Sequence, residues 1–222
     1  MVLPTLDGFT TALSLMVVAL FSRGFQNASG AASTILSSAL ASICLLLVVT
    51  SRIHLLPMLL IPFVSSWQRR QSSDAAWGAA VTVITAAWMI FALTQTVDTR
   101  IPRAHTTTEL LKHYGSAPWD FFTVLAKTIS NTDVRDFYWR SFIGILGWLD
   151  APLLKNHYTW IGGGLLLCML STISIPHSMN DITFRSTMLI ISTASTLLIF
   201  FALLVTWTPH PAEIIAGVQG RY

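Results

Sequence analysis

No charged side chain interrupts residues 75–95, and that run restricts the chain more than any other feature. A helix of roughly 20 apolar residues reaches across the ~30 Å hydrocarbon core of a bilayer. Inside lipid, only a helix or a closed barrel satisfies its own backbone hydrogen bonds. Further apolar stretches occupy residues 9–22, 31–50, 54–67, 160–175 and 184–207. The chain is 53% hydrophobic and 10% charged, with a mean hydropathy of +0.64. A soluble domain carries about a quarter charged residues. The expected fold class is therefore all-α, a polytopic transmembrane helical bundle of about six spans.

The run at 54–67 is short and contains Pro57 and Pro62. It is expected to be tilted, kinked or re-entrant. The first run is expected to be a span and not a signal peptide, because no basic segment precedes it and no small-residue cleavage site follows it. Cys44 and Cys168 both sit inside apolar runs, which suggests neither a disulfide framework nor a thiolate metal site. The six histidines show no metal-ligand spacing; His105 and His113, eight apart, can share a helix face. Neither a metal nor a cofactor is expected.

Lys and Arg number 13 against 10 acidic residues, but they form no basic stripe, so nucleic acid is not the expected partner. Their placement speaks instead to topology. With the N-terminus outside, Arg23, Arg69, Arg70 and Arg185 fall on the cytoplasmic side, and Arg52 alone among the short loops falls outside. The layout then divides into residues 1–96 with four spans, an extracytoplasmic segment 97–158, and residues 159–222 with two spans and an outer tail. Trp67, Trp77, Trp160 and Trp207 lie near span ends, where an interfacial belt forms.

The long outer segment has helical signals of its own. Thr106-Thr-Thr-Glu109 spells a capping box opening a helix towards Tyr114. Residues 118–129 place apolar side chains at 121, 122, 125 and 129. Residues 133–146 repeat the pattern with Phe137, Tyr138, Phe142 and Ile145, and pair Asp136 with Arg140 four residues on. These are expected to be amphipathic helices on the outer membrane surface, roofing a cavity between the spans.

Two motifs close the pattern: Gly147-Trp-Leu-Asp-Ala-Pro-Leu153, preceded by Phe142-Ile-Gly-Ile-Leu146, and Gly217-Val-Gln-Gly-Arg-Tyr222. In this order, separated by two spans, they resemble the bacterial membrane family known as domain of unknown function 2142. The opening Met1-Val-Leu-Pro-Thr-Leu-Asp7 is similar to that family's segment in which an aspartate leads into a membrane helix. The family pattern is expected to include a preceding helix with an acidic outer loop and further spans after the second motif, so the resemblance implies an internal piece or a truncated or split form. The resemblance implies a GT-C-like architecture: an integral-membrane glycosyltransferase using polyprenyl-phosphate-linked sugars in cell-envelope glycan assembly. It also implies the bacterial inner membrane, with membrane lipid as the surroundings, while the loop charge bias is what places both termini on the extracytoplasmic face. A protein partner or further segments would complete the bundle.

Arg221, at the outer surface, suits a phosphate, since a guanidinium makes bidentate charge-assisted bonds. Its alternative is an interfacial arginine reaching to headgroups. Asp150 suits sugar hydroxyls or acceptor activation, with the Trp148 indole stacked on the sugar; alternatively it caps a turn. Asp7 is a candidate base or a helix N-terminal charge favoured by the dipole. Gln219 and Tyr222 join them as substrate-binding candidates, and Arg140 is a weaker one. Gly162-Gly-Gly164, inside the fifth span, reads as a close helix-packing surface and not as a phosphate loop.

Two functions of other classes compete with a glycosyltransferase. One is a transporter or flippase for a lipid-linked solute, which intramembrane charges and broken helices would support. Spans almost free of charge argue against it. The other is a non-catalytic membrane scaffold.

Overall fold

The computed structural model of the protein describes residues 6–26, 31–95, 105–146, 151–171 and 179–218. These fold as helices, apart from one two-residue ladder and the C-terminal segment. The chain divides into two compact units, Met1–Asp98 with Pro176–Leu198, and Thr99–Ile175 with Ile199–Tyr222.

The first unit contains α1 (Leu6–Gln26), α2 (Ala31–Ser51), α3 (Leu60–Arg69) and α4 (Ser72–Gln95). It also takes residues 179–198 of the long C-terminal helix, α9 (Met179–Thr206). α1 packs on α2 and α3, and α4 packs on α2 and α3. Val17 and Phe21 of α1 meet Cys44, Leu45, Val48 and Val49 of α2, with Ile61, Val81 and Ile191 completing the buried cluster. The expected interruption of the third apolar run is present. Ile53–Leu59 winds as a 3-10 helix around Pro57 and passes straight into the ten-residue α3. Pro62 is third in α3, a position whose N–H has no intrahelical acceptor in any case. Gly78 lets α4 approach this proline, because a Cβ there would lie 2.9 Å from Pro62 Cγ.

Two helical stretches, Ser72–Ala92 and Ile182–Thr206, are long and apolar enough to cross a membrane. Only 17% and 22% of their most apolar windows are buried, so neither is the enclosed core helix of a soluble protein. Gly8–Ser22 and Ile35–Ser51 are apolar but shorter. The all-helical fold of the sequence reading stands, while the described residues supply two clear spans against the six expected. Trp67, Trp77, Trp160 and Trp207 are all exposed, as side chains of an interfacial belt would be.

The second unit begins with three short helices, α5 (Thr107–Ser116), α6 (Pro118–Ser130) and α7 (Thr132–Ile143). α5 opens as expected: Thr106 Oγ1 accepts from Glu109 N at 3.3 Å, and Glu109 Oε2 accepts from Thr106 N at 3.0 Å. Pro118 starts α6, and Asn131 Oδ1 caps α7 by accepting from Asp133 N and Val134 N. Arg140 meets Asp136 at 2.7 Å, the anticipated pair.

Two helical faces differ from the expectation. In α6 the buried positions are Phe121, Val124, Leu125 and Thr128, while Phe122 and Ile129 are exposed. In α7 Phe137 and Phe142 are exposed too, and the helix stops at Ile143 instead of running to Leu146. Gly144 ends it, with a φ of +146° that a side chain would resist. β1 (Ile145–Leu146) then pairs antiparallel with β2 (Ala151–Pro152), and α8 (Lys155–Ser171) follows. Gly162 is a packing glycine as expected, because a Cβ there would collide with Trp139 of α7. Gly163 and Gly164 have open space.

Candidate functional site

The first motif is carried by the connection between β1 and β2. Ile145 pairs with Pro152 and Leu146 with Ala151, so residues 147–150 join two hydrogen-bonded strands. Buried Tyr158, in the first turn of α8, locks the base of this hairpin. Its hydroxyl accepts from Leu153 N at 3.0 Å and donates to the Gly144 carbonyl at 3.1 Å. One phenol thus satisfies a backbone donor and a backbone acceptor on opposite arms, which would otherwise be costly to bury.

The second motif is reached through residues 208–218, which fold against α5 and α6. Thr208 Oγ1 donates to Leu203 O and accepts from Ala216 N at 3.1 Å. Thr128 of α6, wholly buried, accepts from Ile215 N at 2.9 Å. Tyr114 of α5 hydrogen-bonds His210 Nε2 at 3.1 Å, and His210 Nδ1 meets the Thr208 carbonyl at 3.0 Å. Ile215 and Val218 are buried. Gly217 has a φ of +78°, and a Cβ on it would lie 2.5 Å from Trp207 Cδ1, so the motif's first glycine is required on both counts.

Electrostatics in this unit follow burial. Burial pushes the Tyr114 phenol up, aided by the Asp120 carboxylate. Burial lowers His210, its hydrogen bond to Thr208 works against that, and the His105 and His113 imidazoles each add a lesser lowering effect. His113 faces Asp120 at 3.3 Å and His105 faces Glu109 at 3.7 Å. Tyr138 packs edge-on against Phe200, and its buried hydroxyl has no hydrogen-bond partner among the described residues. Burial pushes that phenol up to about 12. Among the described residues, no three His, Cys, Asp or Glu side chains gather as a metal site.

The first unit holds a polar centre of its own around Asp74, in the first turn of α4. The side chain is fully buried, and its two oxygens accept from Ser38 Oγ of α2 and Ser65 Oγ of α3, each at 2.6 Å. Those distances belong to charge-assisted O–H···O⁻ bonds. Arg69 Nη1 stands 3.6 Å from the carboxylate, and Arg69 Nη2 donates to Phe21 O of α1 at 2.9 Å. One carboxylate therefore ties α2, α3 and α4 together, and α1 through the arginine. Asp74 falls within the Ser72–Ala92 span candidate, which amends the expectation that the spans are almost free of charge.

Trp148, Asp150, Gln219, Arg221 and Tyr222 lie outside the described residues, as does the side chain of Asp7, which stands near the start of α1. The structure gives the frames that hold the two motifs and not the motif side chains. Sequence reasoning missed Tyr158, Thr128, Tyr114 and His210, and no local pattern marks them. Asp74 was visible as a lone acid at the head of an apolar run, a position that ordinarily reads as a helix-start charge.

A search of curated proteins found no match, and a search of solved structures found none either. A family model described as a predicted membrane protein, DUF2142, matches residues 4–222. That match covers almost the whole chain, including the hairpin, the apolar helices and the docked C-terminal segment. The chain belongs to the DUF2142 family of predicted membrane proteins.

Proposed function

We propose that this DUF2142 protein is a GT-C-like glycosyltransferase of the bacterial inner membrane, acting at the outer face on polyprenyl-phosphate-linked sugars in envelope glycan assembly. The observation that carries this reading is the fastening of both motif segments. A buried phenol closes the hairpin bearing Trp148 and Asp150, and buried threonines seat the segment leading to Gln219 and Arg221. Loops fixed by such hydroxyls suit a pre-organised site better than a passive linker. The exposed aromatic side chains Trp119, Phe122, Trp139 and Phe142 suit a membrane surface beside it.

In this reading Arg221 holds the lipid-linked phosphate through its planar fork. Trp148 stacks on the sugar, while Gln219 and Tyr222 bond its hydroxyls. Asp150, with Asp7 as the other candidate base, takes the proton from the acceptor hydroxyl. That oxygen bonds to the anomeric carbon as the bond to the phosphate oxygen breaks, and the polyprenyl phosphate leaves. The test is transfer from a radiolabelled polyprenyl-phosphate sugar by the protein in lipid nanodiscs. The reading expects lipid-dependent binding that Arg221→Ala weakens, and transfer that Asp150→Ala abolishes. Equal binding by wild type and Arg221→Ala, together with undiminished transfer by Asp150→Ala, would overturn it.

Buried Asp74 and the broken helix at Pro57 favour a second reading, a flippase or carrier for a lipid-linked solute. Proteoliposomes separate the two: movement of the labelled lipid between leaflets without transfer of its sugar selects the second.

A further inference from the structure

Neither functional reading uses the apolar groove of the first unit, an open recess of about 420 Å³. Leu47, Thr50 and Ser51 of α2, Phe9 of α1, and Ile84 and Trp88 of α4 line it. We propose that this groove is a phospholipid site, seating one acyl chain of an anionic lipid whose headgroup phosphate lies at Arg52. The site does not depend on sugar transfer.

The groove sits at one end of its helices. Its residues come from the start of α1, the end of α2 and the second half of α4, whereas the Asp74 centre joins Phe21, Ser38 and Ser65 at the other end. Ile84 and Trp88 belong to the Ser72–Ala92 stretch, long and apolar enough to cross a membrane, so hydrocarbon surrounds the groove there. Trp88 stands four residues from Ala92, about 6 Å along the axis, where tryptophans gather beneath the headgroups. From Leu47 to Ser51, and from Ile84 to Trp88, the groove also extends about 6 Å. That is little more than one helical turn, a short footing for another helix and a fitting one for the upper part of a lipid chain.

The lining selects the ligand. No charged side chain lines the groove, and its two hydroxyls are turned into α2. Thr50 Oγ1 donates to Leu46 O at 2.6 Å, and Ser51 Oγ donates to Val48 O at 2.9 Å. A ligand held here is therefore apolar along its length. Phe9, Leu47, Ile84 and Trp88 are each about half exposed, and their open sides gain dispersion contacts when a chain fills the recess. Arg52 follows Ser51 directly and precedes the 3-10 helix. It is the arginine that the positive-inside pattern leaves unexplained, since it alone among the short loops falls opposite Arg23, Arg69, Arg70 and Arg185. A guanidinium just past the end of an apolar groove is complementary to a lipid phosphate, which it meets with charge-assisted bonds. A phospholipid accounts for both features, the bare groove and the misplaced charge, whereas a free phosphate accounts for the second alone.

Two photoactivatable lipids test the site, phosphatidylglycerol and phosphatidylcholine carrying the same diazirine high on one acyl chain. Each is added in small proportion to phosphatidylcholine nanodiscs holding the full chain, and adducts are mapped by peptide mass spectrometry. The bare apolar residues 165–170 of α8 report ordinary contact with the bilayer. The site predicts that residues 46–51 and 84–88 are labelled more than α8, and about fivefold more by the phosphatidylglycerol probe than by the other, the preference one arginine confers near a membrane surface. On α8 the two probes should label alike. Arg52→Gln should bring the groove's preference to parity, and Ile84→Trp, which fills the recess, should lower labelling at residues 46–51 by both probes without changing it on α8. Equal labelling of groove and α8 would mark passing bilayer lipid and overturn the site. Equal labelling of the groove by the two wild-type probes, or a preference that survives Arg52→Gln, would overturn the headgroup assignment. Labelling of α8 with none at the groove would show that another segment or a second copy of the chain covers it, and would overturn the proposal without recourse to any variant.

Discussion

Asp74 in the first unit and the hydroxyls of the second unit solve the same problem, buried polar backbone and side-chain groups, by opposite means. Around Asp74 a single carboxylate collects donors from α2 and α3 and, through Arg69, reaches α1. In the second unit Tyr158, Thr128 and Thr208 each close one backbone gap with a neutral hydroxyl. A buried charge concentrates the cost of failure in one residue, because removing one partner strands the rest. Neutral clips spread it, each being worth about 1 kcal/mol. The first unit should therefore yield to one substitution, and the second only segment by segment.

The largest expected effect is at Asp74. Asp74→Ala takes the acceptor from Ser38 and Ser65 and the neighbouring carboxylate from the Arg69 guanidinium, and should cost about 3–5 kcal/mol, read as unfolding free energy in mild detergent. Asp74→Leu with Arg69→Met, which removes both charges, should be less damaging than Asp74→Ala. If the single change is harmless, the carboxylate is not what joins the four helices.

Gly217→Ala comes next. It combines a left-handed φ with contact against Trp207, and should cost about 1–3 kcal/mol. Gly163→Ala, in the interior of α8 with no packed neighbour within 4 Å of the added Cβ, is the contrasting control and should stabilise by up to about 1 kcal/mol through helix propensity alone. Thr128→Val keeps the shape but orphans Ile215 N–H, at a cost of about 1–3 kcal/mol. Its effect should appear as faster exchange at residue 215, with the Asp74 centre unaffected. The smallest effect has the opposite sign. Tyr138→Phe removes a buried hydroxyl that has no partner among the described residues, so it should be neutral or stabilise by up to about 1 kcal/mol. A clear loss would mean that this phenol does have a partner.

What was legible in the sequence is what local chemistry dictates. The Thr106–Glu109 capping box, the Asp136–Arg140 pair, the break at Pro57 and the packing role of Gly162 all depend on neighbours in sequence or on a missing side chain. The clips were not legible because their partners are remote: Tyr158 reaches 14 residues back and Thr128 87 residues forward. The buried face of α6 was misjudged for the same reason. Thr128 is wanted inside by Ile215, and Ile129 is turned outward with it. Asp74 went unnoticed because the span was drawn to begin at the first uncharged residue, whereas α4 starts at Ser72 and takes the aspartate with it. The candidate site was legible only as motifs; its frames came from the fold.

The proposed function puts both motif segments on the outer side of the membrane, and the loop charge bias puts Arg69 and Arg70 on the cytoplasmic side. Single cysteines at positions 70, 150 and 221, in a background carrying Cys44→Ala and Cys168→Ala, test it with a membrane-impermeant maleimide on intact cells. The account predicts labelling at 150 and 221, and labelling at 70 only after the membrane is opened. Labelling at 70 in intact cells, with 150 and 221 protected, would contradict it.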